Sequence, residues 1–326
     1  MIIVTGATGF IGSNIVADLN AKGRTDLLLV DDLGTSGKWK NIAKRRFVDL
    51  IDYRNLDQLL PSLKQADAVF HMGANSSTTS TDGDEILRVN LHATMAWWKW
   101  CTETRTPFIY ASSAATYGDG EQGFTDDQAQ DALDKLAPLN LYGWSKHQFD
   151  KWAVERAAEG KAPPQWAGLK FFNVYGPNEY HKGNMMSLVA KNTALIARGE
   201  TIKLFKSHKE GYVDGGQLRD FVYVKDCCAV MMWLLGTPAV SGIFNLGTGK
   251  ARSFVDLMHA IGAALGKPVS IEYVDMPESI RPNYQYFTEA NMQKLKGAGY
   301  SADFYSIESG ASDYVKGYLT QNDIYR

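Results

Sequence analysis

The chain has 326 residues, of which 45% are hydrophobic and 21% are charged, and its formal net charge is −2. These values are typical of a globular protein with one large α/β domain or two smaller ones. They exclude the basic surface that a nucleic acid partner requires, and the longest apolar run, residues 227–236, is too short to span a bilayer. We therefore expect neither a nucleic acid nor a membrane as a partner.

Strands and helices alternate along the first half of the chain. Apolar runs bounded by turn residues predict buried strands at 2–5, 26–32, 46–50, 66–74, 107–113 and 166–177. Apolar residues at helical spacing predict helices at 10–23, 57–63, 84–104 and 140–160. This β-α-β alternation predicts a Rossmann-type, doubly wound parallel sheet.

The alternation weakens after about residue 175. The pattern there predicts a helix at 185–199, a polar glycine-rich stretch at 203–226 and a strand region at 241–253. Two late helices are predicted at 253–266 and 287–299. We interpret the chain as a dinucleotide-binding domain and a smaller, discontinuous α/β substrate domain. The first comprises 1–174 with about 213–246, and the second comprises about 175–212 with 247–326.

Cysteine usage and the first residues indicate a cytoplasmic protein. Cys227 and Cys228 are adjacent, and with a single further cysteine they make neither a disulfide framework nor a metal-ligand spacing. Met1 leads directly into an apolar run and a glycine-rich turn, so we expect no signal peptide. We also expect no metal site.

Three glycines, Gly6, Gly9 and Gly12, lie between the first predicted strand and the first predicted helix. This G-x-x-G-x-x-G spacing permits a tight turn, a close approach of the backbone to a pyrophosphate, and close packing of the helix on the strand. The dipole at the helix N-terminus favours the anion. The context predicts a dinucleotide cofactor rather than a simple packing turn.

Asp31 follows the second strand, about twenty residues further on, where a carboxylate accepts the hydroxyls of the adenine ribose. Asp32 adds a negative charge that repels a 2′-phosphate, whereas Lys38 is close enough in sequence to attract one. We expect NADP as the cofactor, and the sequence leaves NAD open as the alternative.

Ser113, Tyr142 and Lys146 form a second chemical pattern. Tyr142 and Lys146 are spaced i, i+4, so they share one helical face, and Ser113 ends a predicted strand. A neighbouring ammonium favours the phenolate and is expected to lower the pKa of the tyrosine. The three groups suit removal of an alcohol proton while hydride leaves to a nicotinamide.

With these motifs the chain resembles the extended short-chain dehydrogenase/reductase superfamily over nearly its whole length. The resemblance rests on GATGFIG, Asp31, HMGAN, SSAATYG, YGWSK and NVYGP. The superfamily includes sugar-nucleotide epimerases, reductases and 4,6-dehydratases. The dehydratases carry Thr-Asp-Glu where this chain has Ser113-Ala114-Ala115, and two alanines cannot perform the elimination. We therefore do not expect the chain to be a dehydratase.

A closer resemblance is to the ADP-L-glycero-D-manno-heptose 6-epimerase family. It rests on GANSSTTSTDG, YASSAATYG, NLYGWSK, FFNVYGP, HKGNMMS, LRDFVYV, SGIFNLGTG and NYQYFTEA. This resemblance implies interconversion of the two 6-epimers of an ADP-heptose through a transient ketone, for the heptose of lipopolysaccharide core. It also implies a tightly bound nicotinamide cofactor and a homo-oligomer, by resemblance a pentamer.

Lys182 follows a predicted strand on a loop rich in glycine and asparagine. Taken alone it is either a solvated charge or a second acid/base. The resemblance implies the second, because the lysine of the H-K-G loop is a catalytic base in that family. The chemistry gives a reason: the ketone must turn its other face to a fixed nicotinamide, which moves its oxygen to a new place. One residue of the pair Tyr142 and Lys182 would then serve each epimer.

Further positions are assigned by comparison with the family, residue by residue. Those expected at the cofactor are Phe10, Ile11, Asn75, Ser76, Asn90 and Val174. Those expected at the substrate are Asn173, Asn184, Lys191, Phe205, Arg219 and Tyr284. Each set has a structural alternative: a solvent-facing amide for Asn90, lid core for Phe205 and Tyr284, and an ion pair for Arg219.

The chain departs from the family at three places. Asp32 replaces an asparagine of members that favour NADP, Lys191 stands where the family has histidine, and the stretch 207–217 is longer than in some members. A UDP-hexose 4-epimerase would need only Tyr142, and the H-K-G loop argues against it. A nicotinamide-sensing regulator without turnover is a third alternative, although Ser113, Tyr142 and Lys146 are all present.

Overall fold

The computed structural model describes residues 1–278, 281 and 284–326. The strands are β1 (Ile2–Thr5), β2 (Leu27–Val30), β3 (Asp49–Ile51), β4 (Ala68–His71), β5 (Phe108–Ser113), β6 (Trp166–Phe171), β7 (Asn173–Tyr175), β8 (Ile202–Phe205), β9 (Leu218–Arg219), β10 (Phe221–Tyr223), β11 (Gly242–Leu246), β12 (Arg252–Ser253) and β13 (Ile271–Val274). Seven of them form one parallel sheet in the order β11-β6-β5-β4-β1-β2-β3. The predicted doubly wound sheet is confirmed.

The chain has eleven α-helices within the described residues. They are α1 (Phe10–Ala21), α2 (Leu56–Ser62), α3 (Gly83–Ile86), α4 (Ala93–Glu103), α5 (Gln130–Leu133), α6 (Leu141–Ala158), α7 (Leu188–Ala197), α8 (Val224–Leu235), α9 (Phe254–Leu265), α10 (Gln293–Gly297) and α11 (Ile307–Tyr314). Helices α1 and α8 cover one face of the main sheet, while α4 and α6 cover the other. Along β1, Ile2 and Val4 join the apolar cluster under α1 and α8, while Ile3 joins the cluster under α4 and α6. Within the described part of the chain, no helix is long and apolar enough to cross a bilayer.

The predicted strand at 166–177 is instead two strands. β6 ends at Phe171, and the next residue, Phe172, donates its backbone N–H to the Leu246 carbonyl at 3.1 Å. β7 then leaves the main sheet and pairs with β10. This break turns Asn173 and the loop that follows it toward the edge where β1, β4 and β5 end.

The tryptophans of α4 correct another expectation. Trp97, Trp98 and Trp100 are more than one helical face can bury, so we expect an exposed remainder that marks a subunit contact. That expectation is wrong, because all three side chains are buried. Trp98 packs edge-on against Phe108 of the sheet and Phe149 of α6, so α4 is buried on two sides.

A third apolar cluster joins α7, α9 and α11 to the short strands β8 and β10. It includes Val189, Met258 and Tyr314, all fully buried. The strand β11, from the later part of the chain, lies beside β6 in the main sheet. The division into two discontinuous domains stays a prediction.

Candidate active site

The glycine loop joins β1 to the N-terminus of α1. A Cβ on Gly12 would lie 2.1 Å from the Gly6 carbonyl oxygen, so only glycine allows α1 to pack this close to the strand. Gly6 has a φ of +62°, which also favours glycine. Gly9 precedes the helix and has no side chain to cap it, so the first amide groups of α1 are available to an anion.

Asp31 directly follows β2 and is held in place by its neighbours. Its Oδ2 accepts hydrogen bonds from the Thr8 backbone N–H at 2.8 Å and the Thr8 hydroxyl at 2.6 Å, and its Oδ1 accepts from Lys38 Nζ at 3.1 Å. Lys38 also donates to Asp32. Burial opposes the ammonium form of Lys38, but the charges of Asp31 and Asp32 outweigh it and raise the pKa of the lysine.

Local packing brings Ser113 and Tyr142 together. Asn140 caps α6 by accepting the Gly143 N–H at 2.8 Å, which starts the helix just before Tyr142. A Cβ on Gly143 would lie 2.7 Å from the Ala115 carbonyl oxygen, so glycine lets this end of α6 approach the turn after β5. Tyr142 and Lys146 therefore lie in the first two turns of α6, beside the end of β5.

The pKa of Tyr142 corrects one expectation. Burial raises it, and a hydrogen bond from Ser113 opposes the rise, whereas the sequence predicts a lowered value. Burial also lowers the pKa of Lys146 to about 8, against the charge of Asp150 one turn further along α6. In the protein alone, burial and the charge of Asp150 therefore outweigh the hydrogen bond from Ser113.

Lys182 lies across the same cavity. Its ammonium is 5.3 Å from the ring centre of Phe10 at the start of α1, a cation–π contact. Burial lowers the pKa of Lys182, and the charge of Glu179 opposes this. The Lys182 side chain is half-buried and lines the cavity, which favours the acid/base role over a fully solvated charge.

One cavity of about 520 Å³ is lined by most of the predicted cofactor and catalytic residues. They are Gly6, Gly9, Phe10, Ile11, Gly12, Asp31, Lys38, Asn75, Ser76, Ser113, Tyr142, Lys146, Val174 and Lys182. An adjoining cavity of about 260 Å³ is lined by Asp31, Asp32 and Lys38, together with the apolar Val30 and Val89. The two cavities share the lining residues Gly6, Asp31 and Lys38.

A further cavity, of about 540 Å³, shares Ser113 and Tyr142 with the first and is also lined by Asn173, Arg219 and Tyr284. Arg219 lies between two rings, with its guanidinium carbon 5.7 Å from the ring centre of Phe254 and 5.3 Å from that of Tyr284. Within residues 1–278, 281 and 284–326 it has no carboxylate partner, so the ion-pair alternative is not supported. The cavity wall thus carries a guanidinium, a group suited to binding phosphate anions.

Four predicted residues do not line these cavities. Phe205 contacts Tyr284 edge-on, with ring centres 6.3 Å apart, and so lies behind the cavity wall. Lys191 donates to the backbone carbonyl of Asn184, whose side chain is exposed. Asn90 is fully buried, so the solvent-facing alternative is wrong; it exchanges hydrogen bonds with the backbone of Asn75 and thereby fixes that part of the wall.

Asn41 is a site residue that the sequence analysis missed. Its side-chain amide donates to the carbonyls of Thr8, in the glycine loop, and Asn178, in the Lys182 loop, at 2.8 and 3.1 Å. It also lies 3.2 Å from His181 Nδ1. No local sequence signal marks this residue, because its partners are distant in sequence.

Comparison with known proteins identifies the family. The profile of the NAD dependent epimerase/dehydratase family matches residues 2–247. The chain belongs to this family. The site described above therefore binds a nicotinamide cofactor, and the glycine loop, the open N-terminus of α1 and the Asp31 carboxylate fit one.

Several epimerases of this family are similar over the whole chain. A protein named ADP-L-glycero-D-manno-heptose-6-epimerase from Fusobacterium nucleatum is 49% identical, with all of both chains covered. One of the same name from Nitratidesulfovibrio vulgaris is 50% identical, with 99% of each chain covered. The crystal structure of the Helicobacter pylori enzyme of that name superposes with a TM-score of 0.79 at 26% identity, covering 97% of this chain and 95% of that one.

Proposed function

We propose that the protein interconverts ADP-D-glycero-D-manno-heptose and ADP-L-glycero-D-manno-heptose at C6, in the cytoplasm, as a step toward lipopolysaccharide core heptose. The names of the Fusobacterium and Nitratidesulfovibrio relatives, at about half identity over full length, support the substrate. The observation that carries the mechanism is that Tyr142 and Lys182 line one cavity. A second acid/base there is what inversion of an exocyclic arm requires.

The residues have separate roles in this scheme. A nicotinamide held by the glycine loop and Asp31 would supply the hydride chemistry at C6. Tyr142 exchanges a proton with the C6 oxygen of one epimer, Ser113 donates a hydrogen bond to that oxygen, and the Lys146 ammonium stabilises the phenolate. Lys182 exchanges the proton of the other epimer after the arm has rotated. Arg219 holds the pyrophosphate of the substrate as a charged donor, and Asn173 borders the heptose.

A proton NMR time course tests the proposed reaction. Purified protein is incubated with ADP-D-glycero-D-manno-heptose and no added cofactor. We expect conversion to a mixture of the two 6-epimers, which also shows that the protein carries its cofactor. If no conversion occurs even with added NAD or NADP, the proposed substrate is wrong, and UDP-hexoses are then the substrates to test.

We further propose that the site accepts NADP and also NAD, with Asp32 setting the ratio. Lys38 is shared between two carboxylates, so these three charged groups carry a net negative charge toward a 2′-phosphate. Replacing Asp32 by asparagine should raise the ratio of NADP to NAD released from the purified protein by about tenfold, equivalent to about 1.4 kcal/mol. Mass spectrometry of the released cofactor measures it. Asp49→Asn, an exposed control on β3, should leave the ratio unchanged.

We also propose that the protein is a homo-oligomer, a pentamer if the family resemblance extends to assembly. Light scattering on the purified protein measures the particle mass directly. A monomer across the micromolar range would contradict this proposal.

A further inference from the structure

The loop that carries Lys182 begins where β7 ends and finishes at Ser187, the cap of α7. Its first residue, Gly176, has a φ of +148°, and a Cβ there would lie 2.4 Å from Val224 Cγ1. The loop is therefore fixed by packing at its start. Between its ends it has only 3-10 turns, with a break at Gly183. Something other than helix or sheet pairing must hold Lys182 in place.

Glu179 is the carboxylate inside this loop, and it is fully buried. Its Oε2 accepts the Ser187 backbone N–H at 2.5 Å, and its Oε1 accepts the Ser187 hydroxyl at 2.6 Å. The same Oε1 accepts the Gly176 N–H at 3.3 Å. One side chain therefore joins the first residue of the loop to the last. Burial raises the pKa of Glu179, and the donors on both oxygens oppose this rise.

The same residue also contacts the lysine. The Glu179 carbonyl accepts the Lys182 backbone N–H at 3.0 Å, which closes the turn that aims the lysine side chain. The Glu179 charge favours the ammonium form of Lys182, against the burial that disfavours it. Geometry and charge therefore act on Lys182 together.

We propose that Glu179 is a positioning residue that holds Lys182 in the cavity by clamping Gly176 to Ser187 across the loop. The proposal rests on the proposed function for the role of Lys182 in turnover. The clamp itself is a property of the folded chain and is testable without substrate.

Hydrogen exchange of the cofactor-bound protein tests the clamp. Replacing Glu179 by alanine should speed exchange of the amides in 180–187 by about tenfold or more, because hydrogen bonds to a charged acceptor are lost. Glu179→Gln keeps one carbonyl oxygen and should give an intermediate rate. Asp226→Asn, a matched buried carboxylate of α8 that accepts the Tyr305 N–H, should leave 180–187 unchanged. Unchanged exchange in 180–187 for both Glu179 variants would overturn the proposal.

Single-turnover reduction of the bound nicotinamide, followed by absorbance with each heptose epimer, tests the effect on Lys182. Glu179→Ala should slow the same epimer as Lys182→Ala, by about tenfold or more, and Glu179→Gln should restore part of that rate. A merely structural role would slow both epimers equally and would overturn the positioning role. If Lys182→Ala itself shows no difference between epimers, the two-base scheme is wrong, while the exchange result still decides the clamp.

Discussion

Replacing Tyr142 by phenylalanine should slow hydride transfer from one heptose epimer by about 10²- to 10⁴-fold and leave transfer from the other epimer near its original rate. This range is what a positioned acid/base contributes to a proton transfer. Phenylalanine keeps the ring that lines the cavity but cannot accept the proton of the alcohol. Single-turnover reduction of the bound nicotinamide, measured separately with each epimer, gives both rates.

Lys182→Ala is the matched control for this experiment and should slow the opposite epimer. Each residue faces the cavity from a different element, Tyr142 from α6 and Lys182 from the loop after β7. A crossed pattern therefore follows if each serves one position of the C6 oxygen. If Tyr142→Phe stops both epimers and Lys182→Ala stops neither, a single-base epimerase is the better interpretation.

Replacing Asp150 by alanine should lower the free energy of unfolding by about 3–5 kcal/mol, because it leaves a buried ammonium without its partner. Asp150 Oδ2 lies 3.0 Å from Lys170 Nζ, and both side chains are fully buried. The carboxylate also accepts the hydroxyls of Ser112 and Tyr110, at 2.6 and 2.9 Å. Denaturant unfolding followed by circular dichroism measures the change.

Two further variants separate the causes of this loss. Asp134→Ala breaks a largely exposed ion pair with Lys151 and should change the unfolding free energy by about 0–1 kcal/mol. Adding Lys170→Met to Asp150→Ala removes the stranded charge and should recover part of the stability. If the double variant is no more stable than the single one, the loss arises from the hydroxyl partners rather than from the buried ammonium.

The main sheet was predictable because its strands, apart from β3 at the edge, are buried on both faces. Strands β1 and β2 consist of apolar runs followed by turn residues, which is the local signature of a parallel sheet. The break after Phe171 was not predictable, since FFNVY reads as one continuous strand. It arises because the Phe172 and Asn173 amides pair with the Leu246 and Asp220 carbonyls, which are remote in sequence.

The smaller elements near the C-terminus show a similar limit. The helix α11 is rich in serine and glycine, which have weak helix propensity, and the sequence analysis did not predict it. It forms because Ser306 caps it and Ile307 and Tyr314 are buried in the third apolar cluster. The predicted helix at 287–299 is reduced to the five residues of α10.

The candidate site likewise contains residues that the sequence predicted and residues whose roles only the fold reveals. The glycine loop and the spacing of Tyr142 and Lys146 depend on near neighbours in the chain and were readable from the sequence. The supporting roles of Asn41, Asn90 and Glu179 depend on partners that only the fold brings close. Asn184 and Lys191 were assigned to the substrate by resemblance alone, and in the structure they contact each other at the surface.

The buried tryptophans of α4 provide an optical reporter for this protein. Trp98 lies in an aromatic cluster with Trp152 and Trp166, so its emission should lie at the short-wavelength end for tryptophan. A chain of this length has a radius of gyration of about 20 Å, within reach of resonance energy transfer. Reduced nicotinamide absorbs where tryptophan emits, and the oxidised form does not. The intrinsic fluorescence of the purified protein would therefore report the redox state in which the cofactor rests between turnovers.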